Sequence, residues 1–211
     1  MRPSKKLLPL IKINTQNNKE LNIDNLSKVD VVIEFTTPEA AFNNIEFCLK
    51  NNTPVVSGTT GWINKLKAIH KTTEQHNTAF LYSENFSPGV NYFFQINKLL
   101  AKLTKQNNYT IHIEETHHIT KKDQPSGTAI KLKNDIEKNY KPTIIKPIKA
   151  HRKDKIKGEH VVSYSSNIDT IEIKHIAHSR VGFAKGAILA SEFIYNKTGV
   201  FSMEDVLNNL L

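Results

Sequence analysis

The chain has 211 residues, 38% hydrophobic and 23% charged, with 8 Gly and 8 Pro. That balance excludes a collagen-like, low-complexity or fully disordered polypeptide and leaves room for one large domain or two small ones. The net charge of +9 comes from 26 lysines and only three arginines (Arg2, Arg152, Arg180), beside 23 Ile and 22 Asn. This is the residue choice of A/T-rich codons, and no stripe of arginine and aromatics marks a nucleic-acid surface, so no nucleic-acid partner is expected.

Cys48 is the only cysteine, which excludes an internal disulfide, a CxxC pair and a Cys-rich zinc site. Between Ile45, Phe47 and Leu49 it reads as a buried thiol on a helix. No apolar run reaches the ~18 residues of a membrane span. The opening Met1–Arg2–Pro3 and short apolar stretch lack a small-residue cleavage site. No membrane association and a cytoplasmic location are expected.

Residues 29–35 form a β-branched run that reads as a strand buried on both faces of a parallel sheet. Thr36-Thr37-Pro38 ends it, and Pro38 suits the first turn of a helix over residues 39–50. A second buried strand over 53–57 ends in Gly58-Thr59-Thr60-Gly61. A polar helix over 62–76 and a strand over 79–82 follow. The alternation predicts βαβ units.

After residues 85–89 the pattern changes. A helix over 90–105 is expected to bury Val90, Phe93, Phe94, Leu100 and Leu103. Residues 109–115 alternate as a half-buried strand, with Tyr109, Ile111 and Ile113 on one face. A helix over 128–140 carries Ala129, Leu132, Ile136 and Tyr140 on one stripe. Residues 141–158 read as basic and irregular. Strands over 159–164 and 170–177 form a hairpin about Ser165-Ser166-Asn167. A small-residue helix over 186–195, a stop at Gly199 and a helix capped by Ser202 and Asp205 close the chain.

Chemistry concentrates in residues 114–129. Pro125-Ser126-Gly127-Thr128 opens a helix, whose first backbone N–H groups and positive dipole end form an anion site. His117, His118 and Lys121 lie just before it. Amide donors, a lysine charge and a histidine near neutrality are what a small dicarboxylate undergoing proton transfer needs. No HExxH pattern is present and no metal is expected. Gly58-Thr59-Thr60-Gly61 reads either as an ordinary turn or as a ligand contact at the carboxyl ends of parallel strands.

These residues resemble the 4-hydroxy-tetrahydrodipicolinate (dihydrodipicolinate) reductase family. The central match is His117-His118-x-x-Lys121-x-Asp123-x-Pro125-Ser126-Gly127-Thr128-Ala129, with Gln124 where the family usually has Ala. Supporting matches are Glu34-Phe35-Thr36, Gly58–Gly61, Asn85-Phe86-Ser87-x-Gly89-Val90-Asn91 and Ser179-Arg180-x-x-Phe183-Ala184-x-Gly186-Ala187. The ending Gly199-Val200-Phe201-Ser202-Met203 also matches. The resemblance implies reduction of a cyclic dicarboxylate by NADPH or NADH in lysine and diaminopimelate synthesis, by a homotetramer. It implies His117 as proton donor/acceptor, Lys121 as second proton donor, and His118, Gly127 and Thr128 as substrate contacts. Gly58, Thr59, Thr60, Ser83, Glu84, Asn85 and Phe86 would contact the cofactor.

The expected architecture is α/β. An incomplete Rossmann-type parallel-sheet domain (residues 1–87, completed by 181–211) binds the dinucleotide. An α+β domain with antiparallel strands (88–180) binds substrate and tetramerises. The first glycine of the chain is Gly58, so the glycine-rich turn that usually opens a dinucleotide fold is not seen, nor are the ~30 residues of its strand and helix. Residues 10–13 would supply at most the second strand, with Asn14 near the position of a ribose-binding acid. A misplaced start or a decaying gene would each explain this. The alternative function is therefore a weakly active or non-catalytic remnant that binds NAD(P)H poorly. A generic dehydrogenase of another small acid is the nearest enzyme rival.

Overall fold

The computed structural model describes residues 9–210. They form two compact units, one from residues up to Pro88 and from Phe183 onward, the other from Gly89–Gly182. In chain order the first unit contributes α1 (Ile23–Leu26), β1 (Val32–Glu34), α2 (Pro38–Lys50), β2 (Val55–Ser57), α3 (Leu66–Gln75) and β3 (Ala79–Tyr82). The second contains α4 (Pro88–Thr104), β4 (Thr110–His117), α5 (Gly127–Glu137), β5 (Lys149–Arg152), β6 (Glu159–Ser165) and β7 (Thr170–Ile176). Then α6 (Val181–Ile194), β8 (Gly199–Phe201) and α7 (Met203–Asn208) complete the first unit.

The first unit is a four-stranded parallel sheet in the order β1-β2-β3-β8. Fully buried Val55, Val56, Phe80 and Leu81 make its middle. One face carries α2 and α3 through Ile45, Leu49, Trp62 and Ile69; Cys48 lies here, and burial pushes its thiol up to about 12. The other face carries α6 and α7 through Ala187, Ala190, Ile194 and Val206. Pro38 opens α2 at its first position, and Ser202 and Asp205 cap α7 reciprocally, as read from the sequence.

Three expectations for this unit fail. Residues 10–13 form no strand, the Lys12 carbonyl accepting from the Asn17 side-chain amide, and Leu10 is exposed. The first strand is not buried on both faces: β1 pairs only with β2 among the described residues, and Ile33 and Phe35 are exposed. A β-branched run reads alike at an edge and in the middle of a sheet, so periodicity alone could not separate them. Gly199 does not merely stop a helix. Its positive φ (+118°) turns the chain into β8, a strand too short to show a period.

The second unit is a mixed sheet in the order β5-β4-β6-β7, with β4 parallel to β5 and antiparallel to β6. Helices α4 and α5 cover one face, burying Phe93, Phe94, Leu132 and Ile136 against Ile111, Ile113, Val162 and Tyr164. Leu103 is 69% exposed rather than buried. The inward stripe of α4 runs through Asn97, Ala101 and Thr104, and Asn97 donates to the Leu132 carbonyl at 3.1 Å. The stretch read as irregular contains β5. Its residues alternate between exposed and half-buried, so a half-wet edge strand hides inside a basic run.

Helix α6 begins five residues earlier than its periodicity announced. At Gly186 it meets the chain after β3: an added Cβ would stand 1.7 Å from the Phe86 carbonyl oxygen. Backbone cannot yield as a flexible side chain can, so Gly186→Ala is expected to cost about 3 kcal/mol. Urea unfolding measures it; an unchanged midpoint would contradict this packing.

Candidate active site

In the second unit the site grows out of the pleat of β4. Ile111, Ile113, Glu115 and His117 all point inward. The register with β6 sets Ile111 opposite Tyr164, Ile113 opposite Val162 and Glu115 opposite His160. One sheet face thus passes from apolar pairs to a carboxylate–imidazole pair near the strand end. In the parallel register with β5, His117 stands beside Arg152.

Glu115 is 1% exposed, and a buried carboxylate persists only when its oxygens are paired. Oε1 accepts from the Ser126 backbone N–H at 3.0 Å and from both terminal nitrogens of Arg152 at 3.2 Å. Oε2 accepts from the Ser126 hydroxyl, and His117 Nδ1 and His160 Nε2 each lie 3.5 Å from it. Burial raises this carboxyl, but contacts from His160 and Ser126 and the charge of His117 outweigh it and hold it at about 2.

His117 occupies the last inward position of β4, 6% exposed. Its Nδ1 has no hydrogen-bond partner, 3.5 Å being too long. Burial pushes the imidazole down to about 4; Glu115 opposes this, and His160, Lys121 and Arg152 add to it. Its Nε2 faces Gly158, where an added Cβ would stand 3.2 Å away. His118 Nδ1 is 2.7 Å from the Thr120 hydroxyl. The Lys121 ammonium is gripped by both oxygens of Asp123 at 2.7 and 2.8 Å.

Ser126 caps α5 by accepting from the Ala129 N–H. Because its own N–H is spent on Glu115, the anion site is narrower than the sequence implied and begins at Gly127 and Thr128. An added Cβ at Gly127 would stand in open space, so packing does not demand glycine; it leaves the helix start uncovered. A cavity of about 830 Å³ lies nearby in sequence, lined by His118, Thr120, Lys155, Lys157 and Arg180, with Asp154 its only acid. The Gln124 side-chain amide donates to the Ala150 carbonyl of β5 at 3.0 Å.

The ligand atoms of Glu115, His117 and His160 lie within 4.8 Å of one another, a spacing open to a metal ion. The carboxylate is a poor metal ligand here, because Ser126 and Arg152 already hold both its oxygens and the guanidinium would repel a cation.

In the first unit the carboxyl ends of β1, β2 and β3 carry the segments after Glu34, Ser57 and Tyr82. Glu34 is buried and collects donors from two of them: Thr36 N–H at 2.9 Å, Thr36 Oγ1 at 2.5 Å, Ser57 Oγ at 2.5 Å and Thr59 Oγ1 at 2.8 Å. Trp62 Nε1 donates to the Thr59 carbonyl at 2.6 Å. Gly58, Thr59 and Thr60 line a cavity of about 250 Å³ with Phe35, Thr36 and Pro38. A Cβ at Gly58 would stand 2.2 Å from the Phe35 ring, so only glycine lets that ring close over the turn. Ser83 and Asn85 bond to each other, Glu84 is exposed, and the Phe86 ring is buried against Phe35 at 5.4 Å.

Two family models match the chain. The model described as dihydrodipicolinate reductase, N-terminus, matches residues 6–86, and the one described as dihydrodipicolinate reductase, C-terminus, matches residues 89–207. A 4-hydroxy-tetrahydrodipicolinate reductase of Christiangramia forsetii is 45% identical over 194 residues, covering 87% of this chain and 81% of the relative. The chain belongs to the dihydrodipicolinate reductase family. A reductase of the same name from Wigglesworthia glossinidia brevipalpis is 39% identical, covering 89% of this chain and 71% of its own. A dipicolinate-bound dihydrodipicolinate reductase from Paenisporosarcina sp. TG-14 shares the fold, with a TM-score of 0.75 at 24% identity over 90% of this chain and 78% of that one.

Sequence reading gave Glu115, Arg152 and His160 no role in the site, and took Ser126 for part of the anion site rather than a partner of Glu115. Carrying the β4 alternation two residues further would have placed Glu115 and His117 with Ile111 and Ile113, and His160 alternates inward with Val162 and Tyr164. Arg152 had no such signal. Folded His117 sheds its proton near 4 rather than 6.5, and Glu115 near 2 rather than 4.5. Both bind fewer protons folded than unfolded, so stability falls as pH drops through those windows. Urea midpoints are expected to fall from pH 7 to pH 5, and less so in His117→Asn. An equal fall in both would contradict a neutral buried imidazole.

Proposed function

We propose that this chain reduces 4-hydroxy-tetrahydrodipicolinate to tetrahydrodipicolinate with a nicotinamide dinucleotide, in lysine and diaminopimelate biosynthesis. The observation that carries this is a 45% identical relative of that name, together with a helix start, two histidines and an arginine gathered about one buried carboxylate. Overall, one hydride and one proton enter the substrate and one water leaves. The first unit holds the dinucleotide and the second the dicarboxylate.

Gly58, Thr59, Thr60 and the segment Ser83, Glu84, Asn85, Phe86 would hold the cofactor, which supplies the hydride when bound. The 250 Å³ cavity supports this: it falls just short of the roughly 300–1,000 Å³ of whole-ligand pockets and suits one ring. Phe86 is 1% exposed and its carbonyl packs against Gly186, so it would act by backing this segment rather than by touching the cofactor.

The N–H groups of Gly127 and Thr128 have no helical acceptor ahead of them and lie at the positive end of α5, which suits a substrate carboxylate. His118 adds a polar contact. Lys121 brings charge and a proton once a carboxylate competes with Asp123 for its ammonium. His117 is neutral near pH 7 in the free chain. A dianion arriving beside it favours the imidazolium, so the substrate itself charges its proton donor. A proton on Nδ1 faces Glu115, leaving Nε2, on the bare side of Gly158, to exchange with the substrate. Assembly as a cytoplasmic homotetramer belongs to the same reading; among the described residues no helix is long and apolar enough to cross a membrane.

The test is oxidation of NADPH and of NADH by the purified chain with freshly generated substrate. Turnover is expected, with competitive inhibition by dipicolinate and a loss of about 100- to 10,000-fold in His117→Ala. Turnover untouched by that substitution, or none from the folded chain, would overturn the reading.

A further inference from the structure

Arg152 reaches a carboxylate on β4 and two carbonyls of the loop that follows it. Its Nη1 and Nη2 hold Glu115 Oε1 at 3.2 Å, its Nε donates to the Lys121 carbonyl at 3.3 Å, and its Nη2 donates to the Asp123 carbonyl. The next residue, Gln124, is tied to the same strand through the Ala150 carbonyl at 3.0 Å. Two residues further, the Ser126 backbone and hydroxyl return to Glu115. The segment 121–126 is therefore fastened at both ends to one carboxylate, itself two residues before His117 on the same sheet face.

We propose that Glu115 and Arg152 are positioning residues for the reaction. Their buried pair fixes the loop bearing Lys121 and the start of α5 in one register with His117. The inference rests on the reductase reading. Neither residue is assigned contact with substrate. Lysine cannot replace Arg152, because an ammonium lacks the planar fork that spans a carboxylate and two carbonyls at once.

Arg152→Lys keeps the charge and removes the fork. It is expected to lower kcat about 100-fold, as misplacement of reacting groups by an ångström does, with the KM for the dinucleotide unchanged. Backbone amide exchange over 121–126 is expected to quicken about tenfold, with the rest of the unit unchanged. Glu115→Gln removes the one charge favouring the His117 imidazolium, against Arg152 on β5, His160 on β6 and Lys121 on the following loop. The ring-nitrogen titration of His117, read by NMR, is expected to move to lower pH in Glu115→Gln and to stay put in Arg152→Lys. Lys149→Gln, which removes only the exposed pair with Glu114 on the outer face of the same strands, is the control and should change none of these.

A merely structural pair would lower the melting temperature while leaving kcat intact below it, and would loosen the whole unit rather than one segment. Wild-type kcat and exchange in Arg152→Lys would overturn the proposal, even if Glu115→Gln fails to fold. Should the parent chain show no turnover, the reductase reading fails, and the exchange arm still decides whether the clamp exists.

Discussion

A carboxylate cannot stay charged in a protein interior unless several donors come to it, and this chain uses that constraint in each unit. Glu34, the last residue of β1, draws in three hydroxyls and an amide. Glu115, near the end of β4, draws in an amide, a hydroxyl and a guanidinium. In both cases the donors come from the end of a neighbouring strand, Ser57 of β2 or Arg152 of β5, and from segments beyond strand ends. Satisfying the charge thereby fixes the segments that carry the candidate binding groups: Thr36 and the Gly58–Gly61 turn in one unit, residues 121–128 in the other.

The two carboxylates differ in kind. Glu34 has no cation among its hydrogen-bond partners, so its turn is held by neutral donors alone. Glu115 has Arg152, and the positive charge that pairs with it also disfavours protonation of His117. An imidazole so placed is kept uncharged by burial, while the carboxylate 3.5 Å away stands ready to stabilise its charged form. Lys121 is likewise paired with Asp123. In the free chain the imidazole thus rests neutral and the ammonium rests paired.

Much of this could be read from the residues. The parallel sheet followed from 55–57 and 79–82, whose unbroken apolar runs have no surface alternative, and the α5 stripe and the β6–β7 hairpin followed from clean periods. The segment 117–128 announced itself by composition. What stayed hidden was local in length or shared between strands. β5 and β8 are four and three residues long, too short for a period to emerge from a lysine-rich or loop-like background. The Glu115–His160 and His117–Arg152 neighbours are facts of register, fixed by pairing across more than thirty residues. Sequence reading therefore named His117, His118, Lys121, Gly127 and Thr128 as candidates and gave no role to the buried neighbours Glu115, Arg152 and His160 that pack around them.

Calorimetry of dipicolinate binding, repeated at pH 7 in buffers of different ionisation enthalpy, tests most directly whether the ligand charges its own proton donor. If His117 is stored neutral and gains a proton from the arriving dianion, binding should take up about one proton, and His117→Asn should abolish the uptake while still folding. Binding with no net proton uptake in any buffer would contradict that mechanism.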